Sequence, residues 1–371
     1  MTATLVLHLG PHKTATTYLQ DTLVRAAPAL AAEHVYYATT GRNDLAHHDL
    51  AFALWSPERR TNLMSAGRTL PSWHDLADEV TRAPDGARLV VSSENLAHVR
   101  DDEIDGACVL GGRVDVEIVV GVRRLDALLP SLWQEGVKWG RQWPFGEAVG
   151  QLLDEDRVRI LPMLDRWTAA VEPHAVHALA VPAGPDATML LRFVAEVLGC
   201  EAGTLTDAAP SGAVNASLSW LHAEVLRGVS ATIDPTGDQS SLLRRQQVLH
   251  QLIPLVPPTA TTTVRPVVPT ALRSMLDDVQ RETRIGLDER GVIVHGELPV
   301  MASSVDGAGS GPQPNRDDVD RALAWIQECG ADLSHDARAA VDATRRRLDV
   351  DAGPGSRRQR RWFRRHGPGT E

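Results

Sequence analysis

The sequence predicts an α/β fold: a central, mostly parallel sheet with helices on both faces. Short apolar runs alternate with longer stretches of helical period, the pattern of strands buried on both sides and joined by helical crossovers. Each crossover is long enough for a right-handed βαβ unit. A chain of 371 residues, 43% of them hydrophobic, can bury a core of that kind.

In chain order, residues 4–9, 34–38, 88–91, 116–122 and 175–181 read as strands, because each is a short, largely apolar run. Helical periodicity falls between them at 16–26, 45–55, 125–136, 161–171 and 188–198. Residues 217–228 and 240–253 continue as helices without new strands, until Pro254, Pro257 and Pro258 break the pattern. Asn215 or Ser217 reads as the N-cap of the first of these. The expected organisation is an α/β domain over 1–300, a Gly/Ser/Pro linker over 301–315, a charged helical segment over 316–350 and a basic tail over 351–371. Six arginines from Arg357 to Arg365 make that tail a candidate contact for an anionic surface, a solvated tail being the plainer expectation.

A formal net charge of −10 argues against a surface built to hold nucleic acid, which must neutralise many phosphates. An anionic ligand must then be met by a local site. Cys108, Cys200 and Cys329 are odd in number and widely spaced, so they suggest neither a disulfide framework nor metal-ligand spacing. With no basic leader and no long apolar stretch, the cytoplasm is the expected compartment, and no transmembrane segment is expected.

The strongest local signal follows the first apolar run. Leu9-Gly10-Pro11-His12-Lys13-Thr14-Ala15-Thr16-Thr17-Tyr18 reads as a tight loop with a lysine and a hydroxyl cluster at a helix start. Unpaired N–H groups at a helix N-terminus receive phosphate oxygens, and Lys and Thr side chains add donors. Lys13 and Lys138 are the two lysines in a chain otherwise rich in arginine. The loop does not fit G-x-x-x-x-G-K-[ST], Lys13 standing three positions ahead of the Thr16-Thr17 pair. The later strands run into Ser92-Ser93-Glu94 and into Arg123, not into a metal-binding acid, so the ligand is expected to be an anionic donor handled without a metal.

Residues Pro11 to Tyr18 resemble the P-K-[ST]-G-T-T-[WY] loop of the sulfotransferases that use 3′-phosphoadenosine 5′-phosphosulfate, with His12 inserted after the proline. A second motif of that family is an apolar strand ending in arginine, followed eight positions later by a serine. Val119-Val120-Gly121-Val122 leads here to Arg123, and Ser131 follows at that spacing. The resemblance extends by element order over roughly residues 4–300 and implies a P-loop-like three-layer fold. It also implies a sulfuryl donor as co-substrate, with a small molecule or a glycan as acceptor.

By that resemblance Lys13 contacts the 5′-phosphate and stabilises charge on the leaving oxygen. Thr14, Ala15, Thr16 and Thr17 line the same phosphate, Tyr18 stacks on adenine, and Arg123 and Ser131 grip the 3′-phosphate. Ala15 stands where the family has glycine. It is expected to be tolerated, because alanine is the smallest replacement and a helical loop end does not demand positive φ. The family's arginine-glycine loop over the adenosine has only a weak substitute, in residues 284–291.

Glu94, just past a buried run at the sheet's carboxyl edge, is the candidate base. Its plainer reading is a carboxylate complementing a helix start. His48, with His47, is the rival base or an acceptor contact, the plainer reading being a histidine pair flanking an amphipathic helix. His8 reads as a core residue. Trp133, Trp139 and Trp143 are candidates for an aromatic acceptor pocket, or else for helix packing. Two other readings stand beside the sulfotransferase: a P-loop nucleotide kinase, and a non-catalytic nucleotide-binding module.

Overall fold

The computed structural model describes residues 2–61, 69–155, 158–182, 187–211, 218–233, 239–256, 266–300 and 314–351. The chain begins with β1 (Thr4–His8), α1 (Thr16–Ala32), β2 (Val35–Tyr37), α2 (His48–Leu54), α3 (Pro57–Thr61) and α4 (Trp73–Arg82). It continues with β3 (Arg88–Ser92), β4 (Asp115–Val122), α5 (Leu125–Lys138), α6 (Phe145–Leu153), α7 (Ile160–Val171), β5 (Ala175–Ala180), α8 (Thr188–Leu198) and α9 (Ala202–Thr206). The remaining elements are α10 (Trp220–Ser230), α11 (Gln239–Leu252), α12 (Arg273–Glu289), β6 (Ile293–His295), α13 (Arg316–Cys329) and α14 (His335–Asp351). Two short 3₁₀ helices, Glu94–His98 and Ile104–Leu110, lie between β3 and β4.

These elements fall into two compact units. One comprises Met1–Leu132, Gly146–Ala216 and Val268–Val305; the other comprises Trp133–Phe145, Ser217–Val267 and Asp306–Glu371. The first holds a six-stranded, all-parallel sheet in the order β2-β3-β1-β4-β5-β6. All five strands expected from the sequence are present.

Alternation along β1 explains why both faces are covered. Leu5, Leu7 and Leu9 enter one apolar cluster with Leu50, Leu76, Leu96, Ile118 and Trp167. Val6 points to the other, with Leu19, Leu23, Val119 and Leu191. Side chains alternate with period two along a strand, so a strand apolar at every position must be packed on both sides. The indole N–H groups of Trp73 and Trp167, both buried, donate to Leu50 O and Leu96 O at 3.1 and 3.2 Å, so neither ring leaves a polar atom unpaired.

Three departures from the sequence reading have physical causes. Helix α1 runs past Pro28 to Ala32, because Leu30 is fully buried in the apolar cluster and holds the last turn. Strand β6 is three residues long, and the short β-branched run Val292-Ile293-Val294, with Ile293 about half exposed, is not among the expected strands. It is joined to β5 by backbone pairing and by His177 Nδ1 to His295 Nε2 at 3.0 Å. Residues 284–291 are not a loop over a ligand: their first six residues complete α12, where Gly286 packs on Leu161.

The second unit is helical. Leu226 and Val229 of α10, Leu323 and Ile326 of α13 and Val341 of α14 are buried. The N-cap of α10 is Ser219, whose hydroxyl accepts from His222 N, and not Asn215 or Ser217, which lie outside the described residues. Trp133 packs on Phe145 at 5.2 Å and donates to Trp143 O at 2.9 Å, the packing role that the sequence left open. Most of the linker, 301–313, and of the basic tail, 352–371, lies outside the described residues. No helix among the described residues is long and apolar enough to cross a membrane.

Candidate functional site

In an all-parallel sheet every strand ends at the same edge, so the segments after β1, β3 and β4 must emerge side by side. Register fixes how closely. His8 at the end of β1 lies opposite Ser92 of β3 and Val119 of β4. Two residues further, Gly121 N donates to Gly10 O at 2.7 Å. The chain also reverses direction across the sheet at β1, since β2 and β3 lie on one side of it and β4 to β6 on the other. Open α/β sheets bind ligands at such a switch point.

The loop after β1 is built from residues that its neighbours make necessary. Gly10 has φ +89, and a β-carbon there would lie 2.9 Å from the Glu94 Cα. Glycine is thus required twice, for the angle and for the approach of the Glu94 backbone. A β-carbon on Gly121 would meet the Thr14 side chain at 2.7 Å, so the glycine in β4 is what lets the loop seat on the sheet. Thr14 is buried and its hydroxyl donates to Pro11 O at 2.6 Å. Its hydroxyl therefore closes the loop, whereas the resemblance had it lining a phosphate. Thr16 and Thr17 occupy the first turn of α1, and Tyr18 is half-buried against the apolar cluster beneath that helix.

Ala15 departs from expectation. It is the N-cap of α1 at φ 66, ψ 24, and Lys13 is also left-handed at φ 65. Lys13 and Ala15 are thus left-handed two positions apart, either side of Thr14, and alternation of left- and right-handed residues is what curls backbone N–H groups into an anion nest. The same angle makes alanine strained where glycine would not be. Replacing Ala15 by Gly is expected to stabilise the fold by about 0.5–1 kcal/mol, the relief of left-handed strain less glycine's larger unfolded-state entropy. Urea unfolding checks this, as a higher midpoint at unchanged slope.

Arg123, the residue after β4, turns toward this loop: its Nη1 donates to Lys13 O at 2.7 Å. Burial lowers its pKa and Arg124 lowers it further, while Asp126 works the other way; a guanidinium remains charged through such a shift. Arg124 itself pairs with Asp126 at 2.7 Å. Ser131 sits in α5, where its hydroxyl donates to Ala127 O at 2.9 Å, a bond within its own helix. The structure thus brings Arg123 to the loop and gives Ser131 a local partner.

Glu94 opens the 3₁₀ helix after β3 and is half-buried. Its Oε2 accepts from Gln20 Nε2 at 3.0 Å, and Gln20 also donates to Ser92 Oγ at 3.2 Å. Burial alone would raise the Glu94 carboxyl. Nearby His48 and His12, with the Gln20 bond, outweigh it and hold the pKa below the ordinary carboxylate range. Gln20 was not anticipated. Its signal in the sequence is a polar residue next to the apolar stripe of α1, where it is almost fully buried.

The two adjacent histidines separate in role. His47 is fully buried, its Nδ1 accepting from Ser92 N at 3.1 Å while Nε2 donates to Ala38 O at 2.9 Å. Burial outweighs its other interactions and pushes its pKa down to about 4, so it is a neutral tie between the segment after β2 and the end of β3. His8 is likewise pushed down to about 4, by burial, against the raising effect of Glu94, and pairs with Ser92 Oγ at 2.8 Å. His48 is half-buried at the start of α2, with Nδ1 2.9 Å from Ser93 Oγ and 3.0 Å from Asn95 Nδ2. His12 stacks obliquely on His98 at 4.9 Å.

Lys13, Arg123, Glu94 and His48 therefore all belong to segments at the carboxyl edge of one sheet. No group of three or more His, Cys, Asp or Glu able to hold a metal ion occurs among the described residues. Comparison of the chain with protein-family models, with curated proteins and with solved structures found no match.

Proposed function

We propose that this chain is a sulfotransferase that moves a sulfuryl group from 3′-phosphoadenosine 5′-phosphosulfate to a hydroxyl or amine of a small molecule or glycan. One observation carries the reading: Arg123 bonds to the backbone of Lys13. The two segments that resemble the family's 5′- and 3′-phosphate motifs are thereby in contact, although 110 positions separate them. The strand order and the loop between β1 and α1 support a P-loop-like fold in this reading. Free thiols at Cys108, Cys200 and Cys329 suit a reducing, cytoplasmic setting.

In the proposed reaction the acceptor oxygen or nitrogen attacks sulfur in line with the bridging oxygen of the donor. The new bond to sulfur forms as the bond from sulfur to that oxygen breaks. The acceptor's proton passes to Glu94, and adenosine 3′,5′-bisphosphate leaves carrying the negative charge. Lys13 and the loop N–H groups stabilise that charge where it develops, and donor and acceptor are positioned for displacement. A carboxylate held below its usual pKa is ionised at neutral pH, and the same lowering makes it a weaker base than an ordinary carboxylate.

The test is release of adenosine 3′,5′-bisphosphate from the donor in the presence of mixed alcohols, phenols, amines and sugars, with a chelator present. Acceptor-dependent release, matched by sulfated product, is expected. Magnesium-dependent phosphoryl transfer from ATP would indicate a kinase instead. Donor binding with no sulfated product on a broad panel would indicate a binding module.

A further inference from the structure

We infer that His48 serves this site as a fixed hydrogen-bond donor through Nε2–H, held in that tautomer by Ser93 and Asn95, while Glu94 is the group that accepts the proton. The inference rests on the sulfotransferase reading only for the identity of the reaction; the tautomer follows from the geometry around the ring.

A neutral imidazole has one nitrogen that donates and one that accepts, and the partners of one nitrogen decide which is which. Two groups converge on Nδ1 of His48. The Asn95 side-chain nitrogen, 3.0 Å away, has only protons to offer. The Ser93 hydroxyl, 2.9 Å away, accepts the Asn95 backbone N–H at 3.3 Å and keeps its own proton available to the ring. The Asn95 contact therefore makes Nδ1 an acceptor, the Ser93 hydroxyl is compatible with it, and the ring proton resides on Nε2. His47, the preceding residue, is locked in the same tautomer by Ser92 N, so one stretch, Ser92-Ser93-Asn95, sets both rings.

An imidazole in this state does not accept an acceptor's proton at Nε2, because that nitrogen already carries one. It can donate to a sulfuryl oxygen or to the acceptor. Glu94, on the same turn as Ser93 and Asn95, has no proton of its own at neutral pH and takes the complementary part. His48 also lies against Phe52, ring centroids 6.2 Å apart, which limits rotation of the ring out of this arrangement.

The test is nitrogen-15 correlation spectroscopy of the histidine rings, with the His48 signals assigned by comparison with His48→Gln. The free protein, at a pH where the ring is neutral, is expected to show His48 with a bare Nδ1 and a protonated Nε2. Asn95→Asp, which offers an acceptor in place of a donor, is expected to move the proton to Nδ1. A protonated Nδ1 in the unsubstituted protein, or no change in Asn95→Asp, overturns the inference. This readout needs no turnover, so it decides the tautomer whether or not sulfuryl transfer is found. Where transfer is found, His48→Gln, which keeps a side-chain N–H, should lose less than about tenfold in kcat, and His48→Ala about 10- to 100-fold. Losses in both as deep as in Glu94→Gln would make His48 the base.

Discussion

Replacing Glu94 by Gln is expected to lower kcat by about 10²- to 10⁴-fold, the usual contribution of a positioned general base. Affinity for adenosine 3′,5′-bisphosphate should stay within about threefold, because an amide of the same shape still meets Gln20, and a base that receives the acceptor's proton acts on the transition state more than on the bound product. The pH profile supplies a second readout. Gln20, His48 and His12 hold the Glu94 carboxyl below the ordinary range against the opposing effect of burial. The acid limb of kcat/KM in the unsubstituted enzyme should therefore fall below the ordinary carboxylate pKa of about 4.3, and Glu94→Gln should lack that limb. Unchanged turnover in this variant would place the base elsewhere.

Arg123→Ala is expected to weaken adenosine 3′,5′-bisphosphate binding by about 10- to 100-fold, the cost of removing a charge-assisted contact to a phosphate. Adenosine 5′-monophosphate, which has no 3′-phosphate, should lose less than about fivefold, the remainder being the support that the guanidinium gives to the Lys13 carbonyl. Lys13→Ala should weaken both nucleotides to a similar degree, since both carry the 5′-phosphate. Isothermal titration of the two variants with the two nucleotides separates these outcomes. Equal losses for both nucleotides in Arg123→Ala would reduce Arg123 to a brace for the loop.

The parts of the fold that were legible in the sequence are those where local composition and tertiary burial agree. Strands β1, β3 and β4 are apolar along nearly their whole length because both faces are covered, and an uninterrupted run records that directly. Strand β6 is short edge structure, partly exposed and held by a histidine pair, and its run Val292-Ile293-Val294 is too short for pattern alone to separate it from the end of the preceding helix. Helix α1 continues past Pro28 because Leu30 has a buried site to fill, which a proline rule applied to the sequence cannot weigh.

The site divides in the same way. The shared edge that holds Lys13, Arg123 and Glu94 is legible because strand ends of a parallel sheet must meet there, so any residue just past an apolar run lies on it. The partners of the Thr14 and Ser131 hydroxyls are not. These hydroxyls go to Pro11 O and Ala127 O, choices made by loop and helix geometry that spacing does not record. The left-handed angle of Ala15 is equally invisible, since alanine rarely adopts it and nothing in the residue advertises it. The split between His47 and His48 depends on which of two neighbours meets Ser92 and which meets Ser93 and Asn95.

We propose that the loop carrying Lys13 and the strand end carrying Arg123 form one receptor for a doubly phosphorylated adenosine. Calorimetric titration of the unsubstituted protein with adenosine 3′,5′-bisphosphate, once with magnesium and once with chelator, tests it most directly. Saturable binding at one site with the same affinity in both solutions is expected. Absence of binding to the bisphosphate, together with magnesium-dependent binding of ATP, would contradict it.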